Sequence, residues 1–295
     1  MPLSDTRSLG PRLHRVLPYA ALSASMLIFC IGTSFAKQLF PRIGAEGTSA
    51  YRVGFSAILL LLVLRPWRFP LARRDLWTIM RFGAALGTMN LCFYMALRTL
   101  PLGLAIAIEF LGPLSVALLH SRRPMHFAMV GLAVAGLLLL LPLRPTAHAL
   151  DPVGILFALG AATCWALYIV FGKRIGHLPG GQAVALGMAT AALLVVPIGI
   201  HQAGAVLLTP ALLGLGLITA ILSSAIPYSL EMVALKHIPA NRLGVLLSVE
   251  PAVGAVAGAV LLGEYLTGVQ WCAIALVISA SIGMILATDG VQATA

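Results

Sequence analysis

Four charged residues stand out within the long apolar stretches of this 295-residue chain: Arg52, Glu109, Glu250 and, near one end of its stretch, Glu231. An ionised side chain in hydrocarbon is costly unless it faces a cavity or a partner, so each of the four is a candidate for function. Glu109 and Glu250 also lie close to a proline, which removes a backbone N–H and loosens the surrounding helix. A carboxylate there could bind a substrate ammonium group, carry a proton, or alternate between the two. The alternative is a structural ion pair, for instance between Glu109 and Arg52.

Polar and aromatic residues accompany these charges, and their chemistry suits a small zwitterion. An amide, hydroxyl groups and a few rings could complete a pocket, although single aromatic residues in membrane helices more often serve packing or lie at the interface. Tyr168, Ser223 and Ser224 lie in the same stretches. The predicted substrate-binding residues are Arg52, Asn90, Tyr94, Glu109, Trp165, Tyr228 and Glu250. The predicted candidates for proton coupling are Glu109, Glu231 and Glu250.

Motifs for other kinds of chemistry are missing from the sequence. The pair Gly172-Lys173 lacks the earlier glycine and the following Ser or Thr of a P-loop, which excludes an ATPase. No Asp lies within a predicted span and no His-Glu-x-x-His occurs, which argues against intramembrane proteases. The four cysteines are widely spaced in apolar runs, which argues against zinc. We therefore expect a protein that is not an enzyme and that needs no metal or cofactor.

The composition places these residues in a membrane. Hydrophobic residues make up 60% of the chain, charged residues 9%, and the mean hydropathy is +1.00. A soluble domain carries roughly 25% charged residues to cover its surface, so this surface must face lipid. The net charge of +10 does not indicate nucleic-acid binding, because the basic residues lie singly or in pairs between apolar runs.

The apolar runs predict an all-α membrane protein with ten transmembrane helices. A helix needs about 20 apolar residues to cross about 30 Å of hydrocarbon. Proline and glycine mark most connections, and no connection is long enough to fold alone. The predicted spans are 18–36, 47–64, 76–97, 102–120, 125–143, 152–172, 181–201, 210–235, 241–262 and 268–287.

The two halves of the chain resemble each other. Residues 96–101 (ALRTLP) match residues 234–239 (ALKHIP) at an offset of 138, and Pro113 falls on Pro251 at the same offset. Because each half holds five spans, an odd number, the second copy enters the membrane from the opposite side. Inverted repeats place a substrate site near the midplane, where one half rocks on the other. The predicted units are a segment at 1–17, repeats at 18–144 and 151–288, and a tail at 289–295, with both end segments in the cytoplasm.

The spans and several motifs resemble the EamA branch of the drug/metabolite transporter superfamily. Glu-Pro at 250–251, followed by Leu-Gly-Glu at 262–264, is similar to the superfamily in general. Stretches within residues 88–94, 101–124 and 222–232 resemble bacterial threonine/homoserine exporters of this branch more specifically. The similarity covers nearly the whole chain after its N-terminal segment. Residues 121–124 (SRRP) depart from the Gly-Glu found there in many superfamily members, as they do in those exporters.

This resemblance implies a secondary exporter of threonine, homoserine and related amino acids in the bacterial inner membrane, working by alternating access and driven by proton exchange. Its expected partners are the amino acid, protons and lipid, with no nucleic acid, in a monomer or a homodimer. The alternative is export of drugs or other hydrophobic or cationic metabolites on the same fold.

The distribution of Lys and Arg predicts the orientation of the chain. With the N-terminus inside, 13 of the 19 lie in inner segments and 4 in outer loops, while Arg52 and Arg81 lie within spans. Short loops rich in Lys and Arg stay in the cytoplasm, so both termini should be cytoplasmic. A reporter that is active only in the periplasm should therefore be silent when it is fused after residue 295. An active fusion would contradict both the orientation and the inverted repeat.

Overall fold

The computed structural model describes residues 11–119, 124–140, 151–175, 177–178, 180–227, 230–231, 234, 238 and 246–292. Every regular element within those ranges is helical. The helices are α1 (Pro11–Lys37), α2 (Phe40–Leu64), α3 (Arg73–Ala96), α4 (Leu102–Glu109), α5 (Leu111–Leu119), α6 (Pro124–Leu140), α7 (Pro152–Arg174), α8 (Gly180–Ala203), α9 (Pro210–Ala220), α10 (Glu250–Leu262) and α11 (Gly268–Gln292).

These helices are apolar in the manner of a membrane protein. Within the described residues, four stretches are long and apolar enough to cross a bilayer: Val16–Lys37, Phe40–Arg68, Pro152–Arg174 and Gly181–Leu208. Five shorter apolar helical stretches lie at Leu102–Val116, Phe127–Gly136, Pro210–Ala225, Glu250–Leu262 and Gly268–Gly283. Helix α3 is less apolar, because its first turns carry several charged residues. Each of the ten predicted spans overlaps at least one of the described helices.

Two predicted spans are interrupted beside their carboxylates. A turn at Phe110 separates α4, which ends at Glu109, from α5. A turn at residues 248–249 precedes α10, which begins at Glu250. Proline explains both breaks, because it has no N–H to give the carbonyl four residues earlier. Pro113 thereby deprives the Glu109 carbonyl of its helical partner, and Pro251 does the same to Leu247.

The helices pack in pairs through small residues. Helix α2 packs on α8, α4 on α10, α6 on α11, and α3 on both α7 and α8. A methyl group on Gly103 would come within 2.6 Å of Ala255 in α10, so α4 and α10 approach closely only because this position is glycine. The glycine pair in α3 serves a similar contact, since Gly87 lies against Ala191 of α8. Close packing through small residues is typical of helices in membranes.

An ion pair ties together the ends of α1, α4 and α10. Lys37, the last residue of α1, lies with its Nζ 2.6 Å from Glu264 Oε1 and also donates to the Leu100 carbonyl at 2.9 Å. The second carboxylate oxygen of Glu264 accepts from the Leu102 N–H at 2.8 Å, which caps the N-terminus of α4. The two residues follow closely after the predicted spans 18–36 and 241–262. The structure adds that they meet, although 227 positions separate them.

Candidate functional site

A cavity of about 130 Å³ lies among α1, α2, α3, α4, α7 and α10. A site for one water needs roughly 10–15 Å³ on this scale, so the cavity has room for a small organic molecule. Its wall combines charged, polar, thioether and aromatic side chains. The lining residues are Ser25, Met26, Phe29, Arg52, Leu86, Met89, Asn90, Phe93, Ile106, Glu109, Trp165, Tyr168, Pro227, Glu231, Leu247 and Glu250.

Most of the predicted site residues meet at this cavity. Six of them line it: Arg52, Asn90, Glu109, Trp165, Glu231 and Glu250. Tyr94 does not line it, because its fully buried ring packs against Phe40 and faces the Arg52 guanidinium instead. Tyr228 lies outside the described residues. The structure therefore brings the four predicted charged residues to one cavity, while Tyr94 lies behind Arg52 and not in the cavity wall.

Arg52 is held in a defined orientation in the middle of α2. Its side chain is buried, and its guanidinium carbon lies 5.2 Å from the centre of the Phe29 ring and 5.3 Å from that of Tyr94. Both distances suit cation–π attraction, which strengthens when the cation is removed from water. Arg52 Nε donates to Ser224 Oγ at 2.9 Å, and Nη2 donates to the Ser223 carbonyl at 3.1 Å.

The Ser223 carbonyl is available to Arg52 because the helix around it is irregular. Residues Ile221–Ala225 form a π-helical turn, in which the Ile226 N–H donates to the Ile221 carbonyl. In a regular α-helix the Ser223 carbonyl would accept from residue 227, which is a proline and has no N–H. The guanidinium takes the place of that missing donor. Single π turns occur often at functional sites.

Gly32 allows α1 to approach this π turn. A methyl group on Gly32 would lie 2.6 Å from the Leu222 carbonyl carbon and 2.7 Å from the Ser223 nitrogen. One turn earlier in α1 than Phe29, Ser25 donates from Oγ to the Pro227 carbonyl at 2.9 Å. Helix α1 therefore contributes both a ring above the guanidinium and a hydrogen bond to the segment that anchors it.

Among the described lining residues, three carboxylates share the cavity with one guanidinium. Glu109 lies within electrostatic range of Glu250 and Arg52, and Glu250 within range of Glu231 and Arg52. Full ionisation would leave three negative charges against one positive charge in a site that is largely shielded from water. Such an excess of like charge is unfavourable, and a proton or a cationic group on one carboxylate relieves it.

The rest of the wall is rigid and mostly apolar. Asn90 Nδ2 donates to the Leu86 carbonyl at 2.8 Å, which leaves the side-chain oxygen of the amide as an acceptor. Trp165 packs edge-on against Phe110 with ring centres 5.4 Å apart, and Tyr168 stacks on Phe82 at 4.6 Å. These contacts fix the two large side chains of α7, so the cavity has a defined width.

Sequence reasoning missed the contribution of α1 to this site. Ser25 and Phe29 carry no charge and lie in a span without an ionisable residue in its middle, so the rule that found the other residues did not select them. It also missed that Ser223 and Ser224 hold Arg52. For Ser223 the sequence does carry a signal. Pro227, four residues later, has no N–H to donate to the Ser223 carbonyl, so that carbonyl can accept from another group.

Comparison with known proteins shows the family of this chain. The model of the EamA-like transporter family matches residues 152–286. The threonine/homoserine exporter RhtA of Salmonella typhimurium (strain SL1344) is 46% identical over 270 residues, which are 92% of each chain. RhtA of Escherichia coli (strain K12) gives the same identity and coverage. This chain belongs to the EamA-like transporter family. It is thus a multi-pass membrane transporter and not an enzyme, as the sequence predicted.

A more distant relative is also named a transporter, and a solved structure shares the fold. The uncharacterized transporter YwfM of Bacillus subtilis (strain 168) is 27% identical over 246 residues, which are 79% of this chain and 80% of YwfM. One solved crystal structure, 20% identical, superposes with a TM-score of 0.57 over 91% of this chain and 96% of its own. That structure supports the fold alone.

The anchoring of Arg52 predicts different effects for two adjacent serines. Ser224→Ala removes the Oγ acceptor of a buried charge and should lower the free energy of unfolding by about 1.5–3 kcal/mol. Ser223→Ala is the matched control, because its bond to Arg52 uses the backbone carbonyl and survives the substitution. Its lost hydroxyl bond to the Thr219 carbonyl lies within one helix and should cost much less. Unfolding of the purified variants in detergent measures both. Equal losses would contradict a specific anchor at Ser224.

Proposed function

We propose that this transporter exports threonine, homoserine and related small amino acids across the bacterial inner membrane in exchange for protons. The observation that carries the proposal is the 46% identity, over 92% of the chain, to transporters named threonine/homoserine exporters. The cavity supports it, because one guanidinium and three carboxylates surround a space suited to a small zwitterion.

The two ends of an amino acid find complementary partners in this cavity. The guanidinium of Arg52 is fixed by Ser224 and two aromatic rings, so it can receive a carboxylate without rearranging. Glu109 or Glu250 receives the ammonium group. The amide oxygen of Asn90 is an acceptor for a side-chain hydroxyl, which threonine and homoserine both carry. Trp165 and Tyr168 limit the length of the side chain on the remaining side.

Competition for one carboxylate would couple export to protons. A carboxylate that holds the substrate ammonium cannot hold a proton at the same time, so binding of one favours release of the other. This exchange also limits the negative charge in the cavity. The exchanging carboxylate always holds either a proton or an ammonium group, although two other acids share the site. We place the exchange at Glu109 or Glu250, with Glu231 as a further proton-carrying group toward the inner end.

The proposed architecture is ten spans in two inverted five-helix repeats with both termini in the cytoplasm. The helix pairing supports it: α2 packs on α8, α4 on α10 and α6 on α11, so the second, fourth and fifth spans of one half each meet their counterparts in the other. The two broken spans, at Glu109 and at Glu250, are counterparts as well. Discontinuous helices at corresponding positions are a feature of transporter sites at repeat interfaces.

We propose alternating access with the outer side closed in this structure. The predicted topology places the ends of α1 and α10 and the start of α4 on the outer side, where Lys37, Glu264 and Leu102 are tied together. The contact of Gly103 with Ala255 closes the same end, between the cavity and the outer surface. Release of a substrate outward requires that this ion pair separate.

The alternative substrate class is hydrophobic cations. The aromatic residues Phe29, Phe93 and Trp165 together with three carboxylates would also suit an organic cation, which has no carboxylate to place beside Arg52. Such a ligand would use only the carboxylates and leave the guanidinium of Arg52 without a ligand group. A zwitterion uses both kinds of charged group in the wall, which favours the amino acid.

Substitutions at the two central acids test this proposal. Glu109→Gln and Glu250→Gln should each reduce export to the level of cells without the protein, because neither amide can hold a proton or an ammonium ion as a carboxylate does. Folding should be kept, since each change removes charge without creating a cavity. Cells that express the wild type should tolerate excess homoserine and threonine better than toxic cationic dyes, and both variants should lose that tolerance at normal expression.

Glu46→Gln is the control for this experiment. Glu46 is an acid near the start of α2 whose partner, Arg98, is 3.6 Å away and half exposed, so loss of this ion pair should have little effect. Normal tolerance in both cavity variants at normal expression would contradict the site. Dye tolerance without amino-acid tolerance in the wild type would instead support the alternative substrate class.

A further inference from the structure

A second cleft, away from the transport cavity, lies between the first turns of α3 and the last turn of α7. It has a volume of about 990 Å³ and is lined by three arginines, Arg74, Arg81 and Arg174. Arg74 and Arg81 are seven residues apart on α3, so they lie on one face of that helix, with Thr78 between them. Arg174 faces them from α7. Three guanidinium groups from two helices therefore converge on one surface.

The cleft carries an excess of positive charge. Asp75 is the one carboxylate among its described lining residues, and it lies 3.4 Å from Nε2 of His177. None of the carboxylates whose side chains the structure describes forms an ion pair with Arg74, Arg81 or Arg174. With His177 neutral, three guanidiniums and one carboxylate leave a charge of +2. The cleft therefore suits an anion.

The position of the cleft shows what kind of anion fits. Arg74 and Arg81 are separated by about 10 Å along the helix axis, at 1.5 Å per residue. Trp77, which is 64% exposed, lines the cleft between them. The predicted topology places Trp77 at the inner end of the third span, where aromatic residues mark the membrane interface. In that topology the charged surface runs from headgroup depth into the edge of the hydrocarbon.

We infer that this cleft binds the phosphate of an anionic phospholipid, such as phosphatidylglycerol or cardiolipin. Arg81 lies at a depth where an exposed charge is costly unless it extends to the interface or meets an anion. A lipid phosphate supplies the anion while its acyl chains cover the exposed ring of Trp77, which a soluble phosphate cannot do. Basic pockets between helices on the cytoplasmic side are suited to such headgroups.

Such a lipid would bridge two helices that line the transport cavity. Helix α3 carries Asn90 and α7 carries Trp165, and the cleft joins their inner ends. A bound headgroup would hold these ends together by neutralising Arg81 and Arg174 at once, in addition to the pair between Asp75 and His177. The inference is independent of which substrate is exported.

The test is a titration of purified protein in detergent with phosphatidylglycerol or with phosphatidylcholine, followed by thermal unfolding. Phosphatidylglycerol should raise the unfolding temperature of the wild type, and phosphatidylcholine should not. Arg81→Gln and Arg174→Gln should each weaken the apparent affinity for phosphatidylglycerol by roughly five-fold, since one Arg near an anionic surface contributes about 1 kcal/mol. Arg68→Gln is the matched control, because it removes the same charge from a neighbouring inner loop outside the cleft.

Native mass spectrometry of the same proteins counts retained lipids directly, so a variant of low stability can still be scored. Loss of phosphatidylglycerol adducts in the two cleft variants and their retention in Arg68→Gln supports the site. An equal loss in Arg68→Gln overturns it in favour of general attraction by positive charge. Equal stabilisation by inorganic phosphate alone overturns the lipid as occupant, and no difference between the two lipids overturns the site altogether.

Discussion

A guanidinium in the middle of an apolar helix bundle determines much of what surrounds it. Arg52 stays charged at any accessible pH, so its neighbours must replace the water that it has lost. The π turn supplies a hydroxyl and a carbonyl, and Phe29 and Tyr94 supply ring faces. These partners come from α1, α3 and the segment after α9, so one buried charge fixes the mutual positions of α1, α2, α3 and that segment.

The carboxylates Glu109 and Glu250 lie beside Arg52 at points where the helices are interrupted. Proline interrupts one predicted span between α4 and α5, directly after Glu109, and another directly before Glu250. Both acids therefore lie where the backbone leaves regular helix geometry. Such positions can change conformation at a smaller cost than a continuous helix can. The same breaks belong to α4 and α10, whose far ends are joined through Glu264. The cavity and the ion pair between Lys37 and Glu264 thus involve the same two helices.

How much of the site could be predicted depends on what each residue contributes. Arg52, Glu109 and Glu250 were found because a charge in hydrocarbon is costly wherever the helices pack. Phe29 and the meeting of Lys37 with Glu264 were not, because they depend on contacts between distant helices that no local pattern encodes. Tyr94 faces Arg52 without lining the cavity, and this too was beyond the sequence, which locates the residue in α3 but does not give the direction in which its ring points.

Transport of labelled threonine into inside-out membrane vesicles tests the proposed exchange most directly. With an imposed pH gradient that makes the interior acid, vesicles containing the protein should accumulate threonine above its outside concentration. A protonophore should collapse that accumulation, because the substrate and the proton share one carboxylate. Accumulation that persists after the gradient is removed, or uptake no greater than in vesicles lacking the protein, would contradict proton-coupled export.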